Sequence, residues 1–178
     1  GANNVEAVDV IVSGHLCLDL LPEMASVPLT ALNTPGRLYE TGALTLATGG
    51  AVSNTGLALH QLGVNVRLMS NVGDDFIGQA IIDVIESYAP YLSELIHRRS
   101  GEPSSYTIVL SPELVDRIFL HCTGTNRTFG ADDVDNELLK QTKIFHLGYP
   151  ALLPGLIVNE GAALEAIYRQ ARNTGVVT

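Results

Sequence analysis

Gly49 and Gly50 are followed, four residues after the second glycine, by Asn54, and Gly63 and Gly73 close the stretch beyond. A glycine pair ahead of a helix lets backbone come close to a ligand, because no Cβ intervenes. The Asn54 amide both donates and accepts, which matches a hydroxyl, itself both. Asn54 or Ser53 would equally serve as a helix N-cap. Asp19, just after an apolar run, offers a charged acceptor to two neighbouring hydroxyls. A lone Asp after a strand is more often a turn or cap residue, so both readings of Asp19 stand at this point. Asp74 and Asp75 precede a helical pattern and are accounted for as caps. Arg117 reads as a solvated strand charge or as a contact for an anionic part of a ligand. His121 and Cys122 read as structural.

Composition narrows the classes these residues can serve. Only 16% of the 178 residues are charged and 46% are hydrophobic, so the chain expects a sizeable core. Net charge is -9 and the only lysines are Lys140 and Lys143, which argues against a nucleic-acid partner. Cys17 and Cys122 stand alone, and His15, His60, His97, His121 and His146 show no ligand spacing. No metal site is expected. The N-terminus lacks a basic stretch followed by an apolar core, and no apolar run reaches the ~18 residues of a membrane span. The expectation is a soluble, cytoplasmic protein with no membrane partner.

The elements that must position these residues follow from periodicity. Residues 8–13, 64–70 and 143–147 read as buried strands, each followed by turn and helix signals. Leu57, Leu59 and Leu62 mark a helix that Gly63 ends, and Ile77, Ile81, Val84 and Ile85 mark a second that Pro90 ends. Residues 131–141 suggest a short helix, and Asn159 and Glu160 open a last one closed by Gly175. Strand and helix in alternation predict a parallel sheet flanked by helices. The stretch 22–46 reads as loops and short strands, and residues 106–110 and 117–122 as a hairpin. These would form a second, smaller sheet. Gly175-Val-Val-Thr178 reads as the start of a further strand, so the chain is expected to stop inside a domain.

The stretch from Gly49 to Gly63, with Gly73 ten residues later, resembles the first signature of the ribokinase/PfkB family of sugar kinases. Val52 and Gly56 take places usually held by other small residues, and Ala51 stands where ribokinases proper carry Lys. Val12-Ser-Gly-His-Leu-Cys-Leu-Asp19 looks like the family's first strand with its substrate Asp. Asn71-Val-Gly-Asp-Asp-Phe-Ile-Gly78 is similar to its "VGDDxxG" turn, and residues 116–126 to its lid strand and the turn with Asn that follows.

The resemblance implies an incomplete ribokinase-like α/β domain over 1–178, with lid segments at about 22–46 and 104–123. It implies a sugar held by Asp19, Gly49, Gly50 and Asn54, with Arg117 and Asn126 as further substrate contacts. Mg-ATP is implied for the complete enzyme. There a Gly-Ala-Gly-Asp turn supplies the anion hole and the base, and no such turn occurs here, Gly130-Ala-Asp-Asp133 being the nearest string. The family's Asn-x-x-Glu is absent as well, so no catalytic residue is assigned in this chain and the base is expected beyond Thr178. Gly148, like Ala51, departs from ribokinases proper and points away from ribose. The rivals are a nucleoside kinase of the same family, a non-catalytic sugar-binding fragment, and a Rossmann dehydrogenase, which the missing glycine fingerprint disfavours. Free lid edges suggest a homodimer.

Overall fold

The computed structural model describes residues 7–178. The N-terminal residues on which the expectation about a leader rests lie partly outside them. Val10 and Val12 point to one side of β1 (Val8–Gly14) and Ile11 to the other, and all three are buried. Side chains alternate across a strand, so the consecutive apolar residues Val10, Ile11 and Val12 need cover on both faces. β4 (Val66–Gly73) and β8 (Thr142–Gly148) flank β1 in parallel, and β5 (Ile96–Arg99) extends the sheet to the order β5-β4-β1-β8.

α1 (Ala51–Gln61) and α2 (Phe76–Glu86) cover one face, where Val12, Leu57, Leu68, Ile81 and Ile85 interlock. A Cβ on Gly56 would collide with the Leu68 side chain, so the glycine sets how closely α1 approaches β4. Asp75 caps α2 as expected, accepting from the Gly78 N–H at 2.8 Å. On the other face α3 (Asn136–Leu139) and α4 (Pro154–Asn173) pack Leu139, Leu156 and Ile167 onto Ile11, Met69 and Phe145. Among the described residues no helix is long and apolar enough to cross a membrane.

The second sheet is mixed, with the order β3-β2-β6-β7. It comprises β2 (Cys17–Pro22), β3 (Leu44–Gly49), β6 (Tyr106–Leu110) and β7 (Ile118–Cys122). β2 runs antiparallel to β3 and parallel to β6, and β6 and β7 form the expected hairpin.

Four expectations are corrected. Asp19 does not end the first strand: Gly14, at φ 114, turns the chain out of the main sheet, and Asp19 lies within β2 of the small one. The small sheet therefore begins at Cys17, while most of 22–46 is loop with a single 3-10 turn at Leu29–Asn33. α1 starts at Ala51 behind Gly50, so neither Ser53 nor Asn54 caps it, and the Ser53 hydroxyl instead meets that of Thr48 at 2.5 Å. α4 begins earlier than Asn159, at Pro154, and breaks where Asn159, Glu160 and Gly161 take left-handed conformations. The final residues do add to the main sheet, since Val177 bridges Ile144 in parallel.

Candidate functional site

A cleft of about 410 Å³ opens where the two sheets meet. Its chemistry comes from one cross-strand row of the small sheet, in which Asp19 pairs with Thr107 and Thr107 with His121. Residues in one such row share a face, and the Thr107 hydroxyl and His121 Nδ1 lie 2.8 Å apart. Cys17 and Phe119, each two residues along its strand, join that face. The main sheet contributes His15 after β1 and Tyr149 and Leu152 after β8, and Gly50 lines the cleft between β3 and α1.

The glycine pair has a packing reason. A Cβ on Gly49 would sit 2.7 Å and 3.0 Å from the two carboxylate oxygens of Asp19. A Cβ on Gly50 would press on the His15 carbonyl and lie 2.5 Å from its ring Nδ1, and Gly50 itself adopts φ 90. Each glycine makes room for one polar side chain of the cleft, a carboxylate and an imidazole.

Burial pushes the Asp19 carboxyl above its usual range, against the opposing pull of the Cys17 thiol, which donates to Oδ1 at 3.5 Å, and of nearby His121. Burial first, then the charge of Asp19, pushes the Cys17 thiol up to about 12, so it is a donor and not a nucleophile. Burial, and secondly the proximity of His121, takes His15 down to about 4, so its imidazole is neutral near pH 7. Its ring lies 6.0 Å from those of both His121 and Tyr149.

Of the residues expected at the site, Asp19, Gly49 and Gly50 come together here. Asn54 is exposed on the first turn of α1, off the cleft lining. Arg117 is exposed with its guanidinium 5.5 Å from the Phe119 ring, which places it at the rim. Asn126 is not among the residues lining the cleft. It is 1% exposed, and its amide takes the Leu16 N–H at 3.3 Å and donates to the Leu16 carbonyl at 2.9 Å. It therefore pins the crossing from β1 to β2 that delivers Asp19. His121, read as structural, lines the cleft. His15, Thr107 and Tyr149 were not singled out for the site at all, and for His15 the available signal was its place between Gly14 and Asp19.

Mg-ATP finds no seat among these groups. Among the described residues no cluster of three or more His, Cys, Asp or Glu side chains could hold a metal ion. Among the described residues no Lys or Arg lines the cleft to meet a triphosphate.

Residues 9–178 match the family described as pfkB family carbohydrate kinase. Fructokinase-2 of Oryza sativa subsp. japonica is 22% identical over 145 residues, which are 81% of this chain and 40% of that protein. The 5-dehydro-2-deoxygluconokinase of Geobacillus thermodenitrificans is 23% identical over 175 residues, 96% of this chain and 48% of the relative. The structure of Arabidopsis thaliana ribokinase complexed with ribose and ATP superposes with a TM-score of 0.69 at 14% identity, over 96% of this chain and 52% of that one. The chain thus spans about half the length of the proteins it matches or less. The match covers nearly the whole of it, glycine pair and cleft included, and the chain belongs to the pfkB family of carbohydrate kinases.

Proposed function

We propose that the whole protein is an ATP-dependent sugar kinase, transferring the γ-phosphoryl of ATP to a sugar hydroxyl, and that this chain carries the sugar-binding side of the site. The observation that carries the reading is the Asp19 carboxylate, set in a row with Thr107 and His121 and held against Gly49. A carboxylate accepts from two adjacent hydroxyls at once, and its hydrogen bonds are stronger than those of a neutral acceptor. Thr107 and His121 extend the row with further polar groups, while Phe119, Tyr149 and Leu152 give apolar surface to the C–H face of a sugar ring. The small sheet would act as a lid that excludes water during transfer. The general base and the donors around the γ-phosphate are not among the cleft residues and belong to the whole-protein reading.

A nucleoside is the second reading. It is favoured by the aromatic lining, in which Phe119, Tyr149, His15 and His121 present rings on which a base would stack. The free edges β3 and β7 suit pairing between two copies, and we assign the protein to the cytoplasm.

A coupled ADP-release assay over a panel of monosaccharides and nucleosides tests the proposal, run on this chain and on any longer product of the gene. The expected result is turnover only by a product that adds a Gly-Ala-Gly-Asp turn, and a drop of about 10²-fold in kcat/KM for its Asp19→Ala variant. Turnover that ignores Asp19 would remove this cleft from the reaction.

A further inference from the structure

His15 is only 4% exposed, yet among the described residues neither of its ring nitrogens has a hydrogen-bond partner. Buried polar groups are nearly always paired, because an unpaired one keeps the full cost of leaving water. The surroundings are built for this side chain: its carbonyl accepts from the Val52 N–H at 3.1 Å, its own N–H donates to the Gly148 carbonyl at 2.8 Å, and Gly50 leaves the space its ring fills. Backbone on both sides is thus fixed, while the imidazole lies buried in the cleft lining with both nitrogens unpaired. An imidazole in this state has one donor and one acceptor to offer, the complement of hydroxyl groups.

We propose that His15 is a specificity-determining residue whose imidazole hydrogen-bonds hydroxyls of an uncharged sugar or nucleoside, in a cleft where Asp19 without a counter-cation turns away sugar acids and sugar phosphates. This deepens the sugar-site reading and rests on it. The groups that face His15 are the rings of His121, from β7, and Tyr149, after β8, with Cys17 and Asp19 further along the small sheet. Asp19 is the carboxylate among them, and among the described residues no Lys or Arg lines the cleft. An anionic substituent entering here would meet a carboxylate in partly desolvated surroundings without a counter-cation. Arg117 does not supply one, since it stacks on Phe119 at the rim. The neutral state of His15 at pH 7 agrees with this geometry.

The test is NMR of the chain with 15N-labelled histidine, titrated with D-fructose, adenosine and D-gluconate into the tens of millimolar. Native protein is compared with His15→Phe, His15→Asn and Asp19→Ala. His15 nitrogen signals of the neutral ring are expected at pH 7, shifting with fructose or adenosine and not with gluconate. His15→Phe keeps a ring but loses both hydrogen-bonding atoms, and should weaken the neutral ligand roughly ten-fold or more. His15→Asn, which keeps a donor and an acceptor, should restore part of that loss. Without ligand, His15→Phe should melt no lower than native protein, which separates a ligand contact from a structural one. Neutral-ligand binding that Asp19→Ala weakens and His15→Phe leaves untouched overturns the inference and spares the sugar site. Gluconate bound as well as fructose overturns the charge argument, and failure of every neutral probe overturns both readings. If His15→Phe does not fold, the native imidazole signals and His15→Asn decide the question.

Discussion

The four parallel strands are covered on both faces, whereas the small sheet leaves much of its surface to solvent. Ile11, Val12, Leu68 and Phe145 are buried at the centre of the first. In β7, Ile118, Phe119 and Leu120 are all exposed, and in β3 Leu44 and Leu46 are as well. Both sheets reach the cleft, but they bring different things to it. The main sheet brings His15 and Tyr149 on fixed backbone, the small sheet brings Asp19, Thr107 and His121, and Gly50 stands where β3 meets α1. Stability is concentrated in the first and reactive side chains in the second. Local opening favours regions with few buried apolar contacts, which suits the cover role proposed for the small sheet.

The largest expected effect probes that division directly. Phe145→Ala, at 1% exposure in β8, removes a ring from the packed face beneath α4 and should cost about 3–5 kcal/mol. Leu120→Ala, at 51% exposure in β7, should cost under about 1 kcal/mol. Urea unfolding of the two variants beside native protein is the measurement. Equal losses would mean that the small sheet is as firmly packed as the platform, and the comparison would break.

The same division explains what could be read from the residues alone. The platform was legible because strands buried on both faces are continuous apolar runs and its helices repeat at 3.6 residues. β5 escaped because its four residues include His97, Arg98 and Arg99, which carry no strand pattern. The crossing into the small sheet escaped because the apolar pattern runs from Val8 to Leu21 with little to mark the break, and a single glycine with positive φ makes the turn. Asp19 was therefore found as a residue but placed on the wrong sheet. Asn126 lies 110 positions from the Leu16 backbone that it clasps, a pairing no local pattern reports. His15 was missed for a related reason: an unpaired polar group facing a cleft exists only once the fold has brought two sheets together.

A smaller effect should appear with pH. His15 titrates at about 4 in the folded chain against 6.5 for an ordinary histidine, so the unfolded chain takes up a proton first as pH falls. Its contribution is complete above pH 6.5 and is lost between 6.5 and about 4, by roughly 2–3 kcal/mol. Asp19, raised by burial, works in the opposite sense, since the folded chain binds its proton first as pH falls. Asp75 sits lower still. Burial pushes it up, but hydrogen bonds from the Ser104 hydroxyl and from the Ser104, Gly78 and Ile77 N–H groups outweigh this, so its contribution is lost only in stronger acid. Urea midpoints at pH 7.5 and 5 for native protein and His15→Phe check the assignment. The native midpoint should fall and that of the variant should fall much less. Equal slopes would place the proton uptake elsewhere.

The smallest effect lies at the rim of the small sheet. Arg117 is exposed, and its contact there is the stack on Phe119 at 5.5 Å. Exposed cation–π contacts are worth about 0.5–1 kcal/mol, so Arg117→Ala should lower stability by no more than that. It should also leave fructose binding within about two-fold of native, because a neutral ligand held by Asp19 and His15 has no need of a cation outside the lining. Calorimetric or NMR titration of the variant reads the second quantity, and urea unfolding the first. A ten-fold loss of fructose affinity with unchanged stability would show that Arg117 swings inward over the bound ligand. The small sheet would then contribute a cation as well as cover, and the lack of a counter-cation to Asp19, on which the exclusion of sugar acids depends, would no longer hold.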